Sequence, residues 1–268
     1  MNRPLSNLNS NQGMDKDEQI LRRRFKDLAQ AAELRGGIIF SDFLNLNEQS
    51  IFVSMKQELP KIKYFTYGGF EDAERKILCF CGDETITDTE ELDWPITCIR
   101  LVPANQKFSD ALTHRDFLGA ILNLGIDRSK VGDILIHENE GFLFCMNTIS
   151  SFITDQLSKV KHTTIRAGIT SGKDFEYKPK LKEITGTVSS VRLDSILSVA
   201  FKSSRSSLTG LIEGGKVFVN SREVLSNSYQ LKEKDVVSVR GYGKFIYGGT
   251  DYQTKKGRYS VKLHLYGE

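Results

Sequence analysis

The chain has 268 residues, 26% of them charged, with a net charge of +3 at pH 7, a length that suits two or three domains with ordinary cores. No run approaches the ~18 apolar residues a membrane span needs, and the start carries no apolar stretch of the kind found in a secretory leader. Cys79, Cys81, Cys98 and Cys145 lie in apolar segments without CxxC spacing, the usage expected of buried thiols in a reducing cytosol.

Residues 1–13 are rich in Asn and Ser without periodicity and read as a disordered tail. Residues 14–90 read as a mostly helical N-terminal region. Ile20, Leu21, Phe25, Leu28 and Ala32 mark one helical face, flanked by Arg22, Arg23 and Arg24 and ended by Gly36-Gly37. Residues 38–44 and 49–59 suggest two further short helices, the second closed by Pro60. Residues 62–67 and 74–80 suggest a hairpin around Gly68-Gly69. The acidic, turn-rich stretch 83–93 marks a boundary.

A second domain is expected over residues 91–180. Its pattern gives a strand at 96–102, a helix at 109–124 with Leu118, Ile121 and Leu122 inward, and a hairpin of 133–137 with 142–146. A helix capped by Asn147 follows, with Ile149, Phe152, Ile153 and Leu157 facing the core, then a strand at 163–169. The order strand-helix-strand-strand-helix-strand predicts a ferredoxin-like sheet, as in RNA-recognition folds. Phe142 and Phe144 suit either an RNA-stacking surface or the core. Residues 172–179 read as a basic linker.

The C-terminal part, residues 183–268, opens with Leu193, Ile196, Leu197, Ala200 and Phe201 on one helical face. Ser203 or Ser204 is placed to cap a second helix bearing Leu208, Leu211 and Ile212, and Gly214-Gly215 ends it. Strands are expected at 216–220 and 235–240. A long hairpin follows, with Lys255, Lys256 and Arg258 near its tip and Tyr242, Phe245, Tyr247 and Tyr252 available for base stacking. Residues 182–268 hold 14 Lys and Arg against 8 Asp and Glu, leaving 23 against 26 elsewhere. A basic end on a slightly acidic body points to a polyanion, with RNA the leading partner.

The run from Arg192-Leu193-Asp194 through Ser204-Arg205 to 211–220 (LIEGGKVFVN) and 234–239 resembles the alpha-L RNA-binding domain, named after ribosomal small-subunit protein four. Three further stretches, 68–76 (GGFEDAERK), 108–132 (FSDALTHRDFLGAILNLGIDRSKVG) and the pair 240–245 (RGYGKF) and 255–258 (KKGR), resemble the YlmH family. That resemblance implies an α+β protein: a helical N-terminal region with a hairpin, an RNA-recognition-like central domain and a C-terminal alpha-L domain. It implies a cytoplasmic, monomeric factor without enzymatic activity, cofactor or metal. Its partners would be ribosomal RNA, the large ribosomal subunit and, through obstructed subunits carrying peptidyl-tRNA, tRNA.

On the same resemblance, Arg205 is the principal RNA contact with Arg192 beside it. Lys202, Ser204, Lys216, Arg222, Arg240, Lys244, Lys255, Lys256 and Arg258 complete the expected surface. Asp194 is expected to orient an arginine, since a carboxylate beside phosphate is repelled; it also suits a helix N-terminus. Arg115 and Arg128 are read as secondary RNA or interdomain contacts, with a structural salt-bridge role as the alternative.

Other chemistries have weaker support. His114-Arg115-Asp116 echoes a kinase catalytic loop, but Ile121 stands where that loop needs Asn, and no glycine-rich ATP loop precedes it. Cys79 and Cys81 lack a second ligand pair for zinc. Alpha-L domains also accompany pseudouridine synthases and methyltransferases, so an RNA-modifying enzyme stands as the alternative. A further one is a protein-interaction scaffold linked to cell division.

Overall fold

The computed structural model describes residues 16–106, 109–137, 139–170 and 181–267; the expected 1–13 tail and 172–179 linker lie outside the described residues. The N-terminal region comprises α1 (Lys16–Arg35), β1 (Ile38–Leu44), α2 (Leu46–Met55), β2 (Lys63–Tyr67) and β3 (Lys76–Cys81). Phe25, Ala29 and Ala32 recur at helical spacing on α1 and are fully buried. Asn45 caps α2, its Oδ1 accepting from the Asn47 and Glu48 amides while the Glu48 carboxylate reaches back to the Asn45 amide.

The strands form an antiparallel sheet of order β1-β3-β2. Phe25, Phe52, Met55, Leu78 and Phe80 form the core shared with the helices. The expected hairpin is present, but residues 38–44 form a strand and not a helix. Phe43 packs into one layer and Leu44 into another. Apolar residues of the strand face both layers, Ser41-Asp42 breaks the run, and the register shifts between Phe40 and Phe43, so no two-residue alternation marks the strand in the sequence.

Seven elements follow: β4 (Ile96–Pro103), α3 (His114–Leu122), β5 (Val131–His137), β6 (Glu140–Met146), α4 (Asn147–Gln156), β7 (Lys159–Val160) and β8 (Thr163–Thr170). They build an antiparallel sheet of order β5-β6-β4-β8-β7. Ile99, Leu101 and Leu143 share one core cluster with Phe117 and Ile121 of α3 and Ile153 of α4. The expected helix at 109–124 begins only at His114. The Asp116 carboxylate accepts from the Thr113 amide (2.8 Å) and hydroxyl (2.6 Å), fixing the helix start. Upstream, the Leu112 amide donates to Asn139 Oδ1 and the Asn139 amide group to the Asp110 carbonyl, so those residues are tied to the hairpin turn instead.

Phe142 and Phe144 are core residues, packed with Cys98. The Phe70 ring lies 5.0 Å from that of Phe144. Gly69 permits this approach: its φ is +99°, and a Cβ there would sit 2.3 Å from the Phe144 ring. Phe43, Ile77 and Met146, with Trp94 beside them, join the two sheets.

The last part contains β9 (Leu181–Val188), α5 (Leu193–Phe201), α6 (Arg205–Glu213), β10 (Val217–Val219), β11 (Arg222–Glu223), β12 (Val236–Val239), β13 (Gly243–Gln253) and β14 (Tyr259–Tyr266), in a sheet of order β11-β10-β12-β13-β14-β9. Strand β9, not expected from the sequence, pairs with β14 from Val188–Tyr259 to Leu181–Tyr266. Leu193, Ile196, Leu197, Leu208 and Ile212 pack on Val217, Val237, Phe245, Val261 and Leu263. Each such fully buried side chain contributes roughly 1.5–3 kcal/mol.

Candidate nucleic-acid interface

The helix pair sets out its cations through its own end chemistry. Arg192 occupies the N-cap position of α5 and is followed two residues later, within the first turn, by the buried Asp194. Asp194 Oδ1 accepts from the Ser195 amide at 2.8 Å, and the Arg192 guanidinium donates to both carboxylate oxygens at 3.2 and 3.5 Å. The carboxylate thus satisfies a helix-terminal amide and fixes the direction of Arg192, whose side chain stays 42% exposed. The loop before β12 clips this start: the Leu193 amide donates to the Tyr229 carbonyl and the Asp194 amide to the Asn227 carbonyl.

Lys202 ends α5 in the left-handed region at φ +50°. Ser204 then caps α6, accepting from the Ser207 amide at 3.4 Å, and places the exposed Arg205 at the first helical position. Leu208 and Ile212 are fully buried, so the polar side of α6 faces outward. Lys216 and Arg240 come together across β10 and β12, the Arg240 amide donating to the Lys216 carbonyl, and the Arg240 guanidinium lies 5.2 Å from the centre of the Phe218 ring. Arg222 is exposed on β11 at the sheet edge, where the neighbouring Glu223 amide donates to Ser50 Oγ of α2.

The hairpin divides the remaining residues. Lys255 and Lys256 are exposed at the tip. Arg258 is held from the side: its guanidinium donates to the Thr187 carbonyl (2.6 Å) and hydroxyl (3.2 Å) on β9. Of the four aromatics expected to stack on bases, Phe245 and Tyr247 are buried in the sheet core, whereas Tyr242 is 44% and Tyr252 64% exposed. Tyr259, 38% exposed beside the tip, was missed by sequence reasoning because it sits in register with the buried Val261 and Leu263.

Three expected residues lie apart from this surface. The Lys244 ammonium donates to the Asp72 carbonyl at 3.0 Å and lies 4.5 Å from the centre of the Tyr266 ring, whose hydroxyl donates to the Asp72 carboxylate. Burial pulls the Lys244 ammonium below the ordinary lysine pKa, against Asp72, Glu74 and Asp133, which favour its charge. It therefore serves as a tie between the C-terminal part and the 68–76 loop. Arg128 turns inward to the Val131 and Gly132 carbonyls, and burial beside Arg75 lowers its pKa to about 10. Arg115 is exposed on α3, away from the helix pair in the chain.

The 68–76 loop is the joint of the molecule. Asp133 accepts from the Glu74 and Arg75 amides, and the Arg75 guanidinium donates to the Phe43, Arg128 and Val131 carbonyls. The same loop holds Lys244 and Tyr266, so one short segment contacts all three parts. The cysteines are interior: burial pushes the Cys79, Cys98 and Cys145 thiols up to about 12.

Two short helices on a small sheet, with Arg192 and Arg205 at the helix starts, define an S4-domain protein, and residues 191–237 match the S4 domain family. Residues 90–172 match the family described as "Putative RNA-binding domain in YlmH". The chain is 30% identical over 222 residues to "Ribosome-associated protein quality control protein P2" of Bacillus subtilis (strain 168), covering 82% of this chain and 84% of that protein. The chain belongs to the YlmH family. A solved structure, "Cell division protein ylmH from Streptococcus pneumoniae", is 19% identical with a TM-score of 0.48, covering 61% of this chain and 96% of that one.

Proposed function

We propose that the protein is a cytoplasmic, monomeric factor that binds ribosomal RNA of the large subunit and acts by occupancy, without chemistry of its own. Its targets are obstructed subunits still carrying peptidyl-tRNA, which it engages in ribosome-associated quality control. The observation that carries this reading is the helix pair: Arg192 is fixed in direction by Asp194, and Arg205 stands exposed on a capped helix start. The similarity to a ribosome-associated quality control protein over most of both chains supports the ribosome as the destination. The strand order β5-β6-β4-β8 supports a ferredoxin-like, RNA-recognition-like central domain over residues 91–180, with Phe142 and Phe144 used for packing and not for stacking on bases.

Asp194 tells against the modifying-enzyme alternative, because its oxygens already serve Ser195 and Arg192. Sucrose-gradient sedimentation with ribosomal subunits tests the proposal. The parent chain is expected to travel with large subunits, and Arg205→Ala to shift mostly to the free fraction while keeping its melting temperature. Unchanged co-sedimentation of Arg205→Ala contradicts the assignment of the helix pair. Loss of a ribosomal RNA modification in a deletion strain contradicts the absence of chemistry.

A further inference from the structure

The central domain has one sheet face occupied by α3 and α4, while on the other Phe142 and Phe144 pack with Phe70 of the N-terminal region. The buried aromatics Phe142 and Phe144 are therefore not available as a stacking platform for bases. An RNA contact made by this domain has to lie elsewhere on it.

One place gathers the needed chemistry. A cleft of about 580 Å³ lies between α3 and the turn from α4 through β7. Arg115, Lys159 and Lys161 line it with Asp116, three cations against one carboxylate. That carboxylate is already engaged by the Lys161 ammonium at 2.8 Å, which leaves Arg115 and Lys159 exposed on the two walls. Lys161 is presented from a left-handed turn at φ +52°, the backbone geometry that returns the chain from β7 into β8. Asn123, Gln156 and Ser158 add neutral hydrogen-bonding groups, and beside Gly119 there is open space where a side chain would stand. Cations with amide and hydroxyl groups around a wide cleft are the chemistry of phosphodiester recognition. Its exposed lining residues are polar or Gly119, and the apolar ones, Ala120, Leu124 and Leu157, are half-buried or buried, so little apolar surface is open to a protein partner.

We infer that the cleft between α3 and β7 is a second RNA-backbone site, in which Arg115 and Lys159 contact phosphates of the RNA strand that the C-terminal helix pair engages elsewhere. This rests on the proposal that the protein binds ribosomal RNA and adds a second point of attachment to it. Two attachments on different domains fix the orientation of the body on the particle, which one module alone would not do. They also raise affinity through effective concentration.

The test uses the full chain with purified large ribosomal subunits as probe. Arg115→Glu/Lys159→Glu is expected to weaken binding at least tenfold at 0.1 M salt. The milder Arg115→Gln/Lys159→Gln pair should flatten the plot of log affinity against log salt by about 1.5, the effect of two lost phosphate contacts. Ultraviolet cross-linking should leave nucleotide adducts on peptides spanning 114–124 or 156–162. If the cleft variants bind normally while Arg205→Ala does not, the cleft inference falls and the RNA-binding proposal stands. If Arg205→Ala also binds normally, both fall. Cross-links from the cleft to protein alone overturn the inference, because the occupant is then not RNA.

Discussion

Replacing Asp194 by Asn separates positioning from contact at the helix pair. The substitution keeps the shape but removes a negative charge that accepts from the Ser195 amide at 2.8 Å and holds a 42%-exposed arginine. A carboxylate at a helix N-terminus contributes about 0.3–1 kcal/mol and an exposed ion pair up to about 1 kcal/mol, so the loss of stability is between about 0.3 and 2 kcal/mol. Each kcal/mol lowers the melting temperature by roughly 2–4 °C in a chain of this size. For RNA affinity the relevant quantity is the freedom Arg192 regains. Immobilising such a side chain on binding costs about 0.5–1.5 kcal/mol, which corresponds to roughly 2- to 10-fold weaker binding. A double-mutant cycle measured by filter binding to large subunits decides the role. Asp194→Asn should weaken binding in the parent chain and have no further effect in an Arg192→Ala background, while still lowering the melting temperature in both. Equal, additive losses of affinity in both backgrounds would refute the positioning role.

Three other outcomes follow from the packing and the charges. Gly69→Ala places a Cβ 2.3 Å from the buried Phe144 ring in a backbone of positive φ; urea unfolding should show a loss of about 2–4 kcal/mol, and a change under 0.5 kcal/mol contradicts the joint described above. All four thiols are buried, three with pKa values near 12, so a thiol reagent at pH 8 should label none in the native chain and all four in guanidinium, and rapid native labelling contradicts this. Asp116 is held down to about 2 by hydrogen bonds from Lys161 and Thr113. Its folded pKa lies below the ordinary carboxylate value, so its contribution is present above about pH 4 and is lost as pH falls toward 2. The stability gap between the parent and Asp116→Asn should therefore be constant near neutrality and shrink over that acid range, and a gap undiminished at pH 2 contradicts the assignment.

The C-terminal part was legible because its signals are local. Leu193, Ile196, Leu197 and Ala200 repeat at helical spacing, Ser204 and Gly214-Gly215 mark helix ends, and each sits in the structure where its chemistry suggests. Strand β9 was not legible, since its sequence, LKEITGTV, is mostly exposed and owes its conformation to pairing with β14. Residues 38–44 misled in the opposite way, because burial on both faces erases the alternation that marks a strand. The site residues divide on the same principle. The resemblance to the alpha-L domain singled out Arg192, Asp194 and Arg205; the side-chain bonds of Asp194 to Arg192 and Ser195 are local, whereas the Asn227 and Tyr229 carbonyls that clip the helix start are distant in the chain. The fates of Lys244 and Arg128 depend on Asp72 and on the Val131 and Gly132 carbonyls, and that of Lys244 on a partner far away in the chain. His114-Arg115-Asp116 proved to be a helix start, with Asp116 bonded to Thr113.

The central claim is that this protein grips ribosomal RNA through phosphate contacts made by the exposed cations of its C-terminal module. Affinity for purified large subunits, measured across a salt series for the parent chain and Arg205→Ala, tests it most directly. The parent should show log affinity falling linearly with log salt at a slope of about −3 or steeper, as expected for four or more phosphate contacts. Arg205→Ala should bind more weakly with a shallower slope. A flat salt dependence, or the same line for both proteins, would contradict the account.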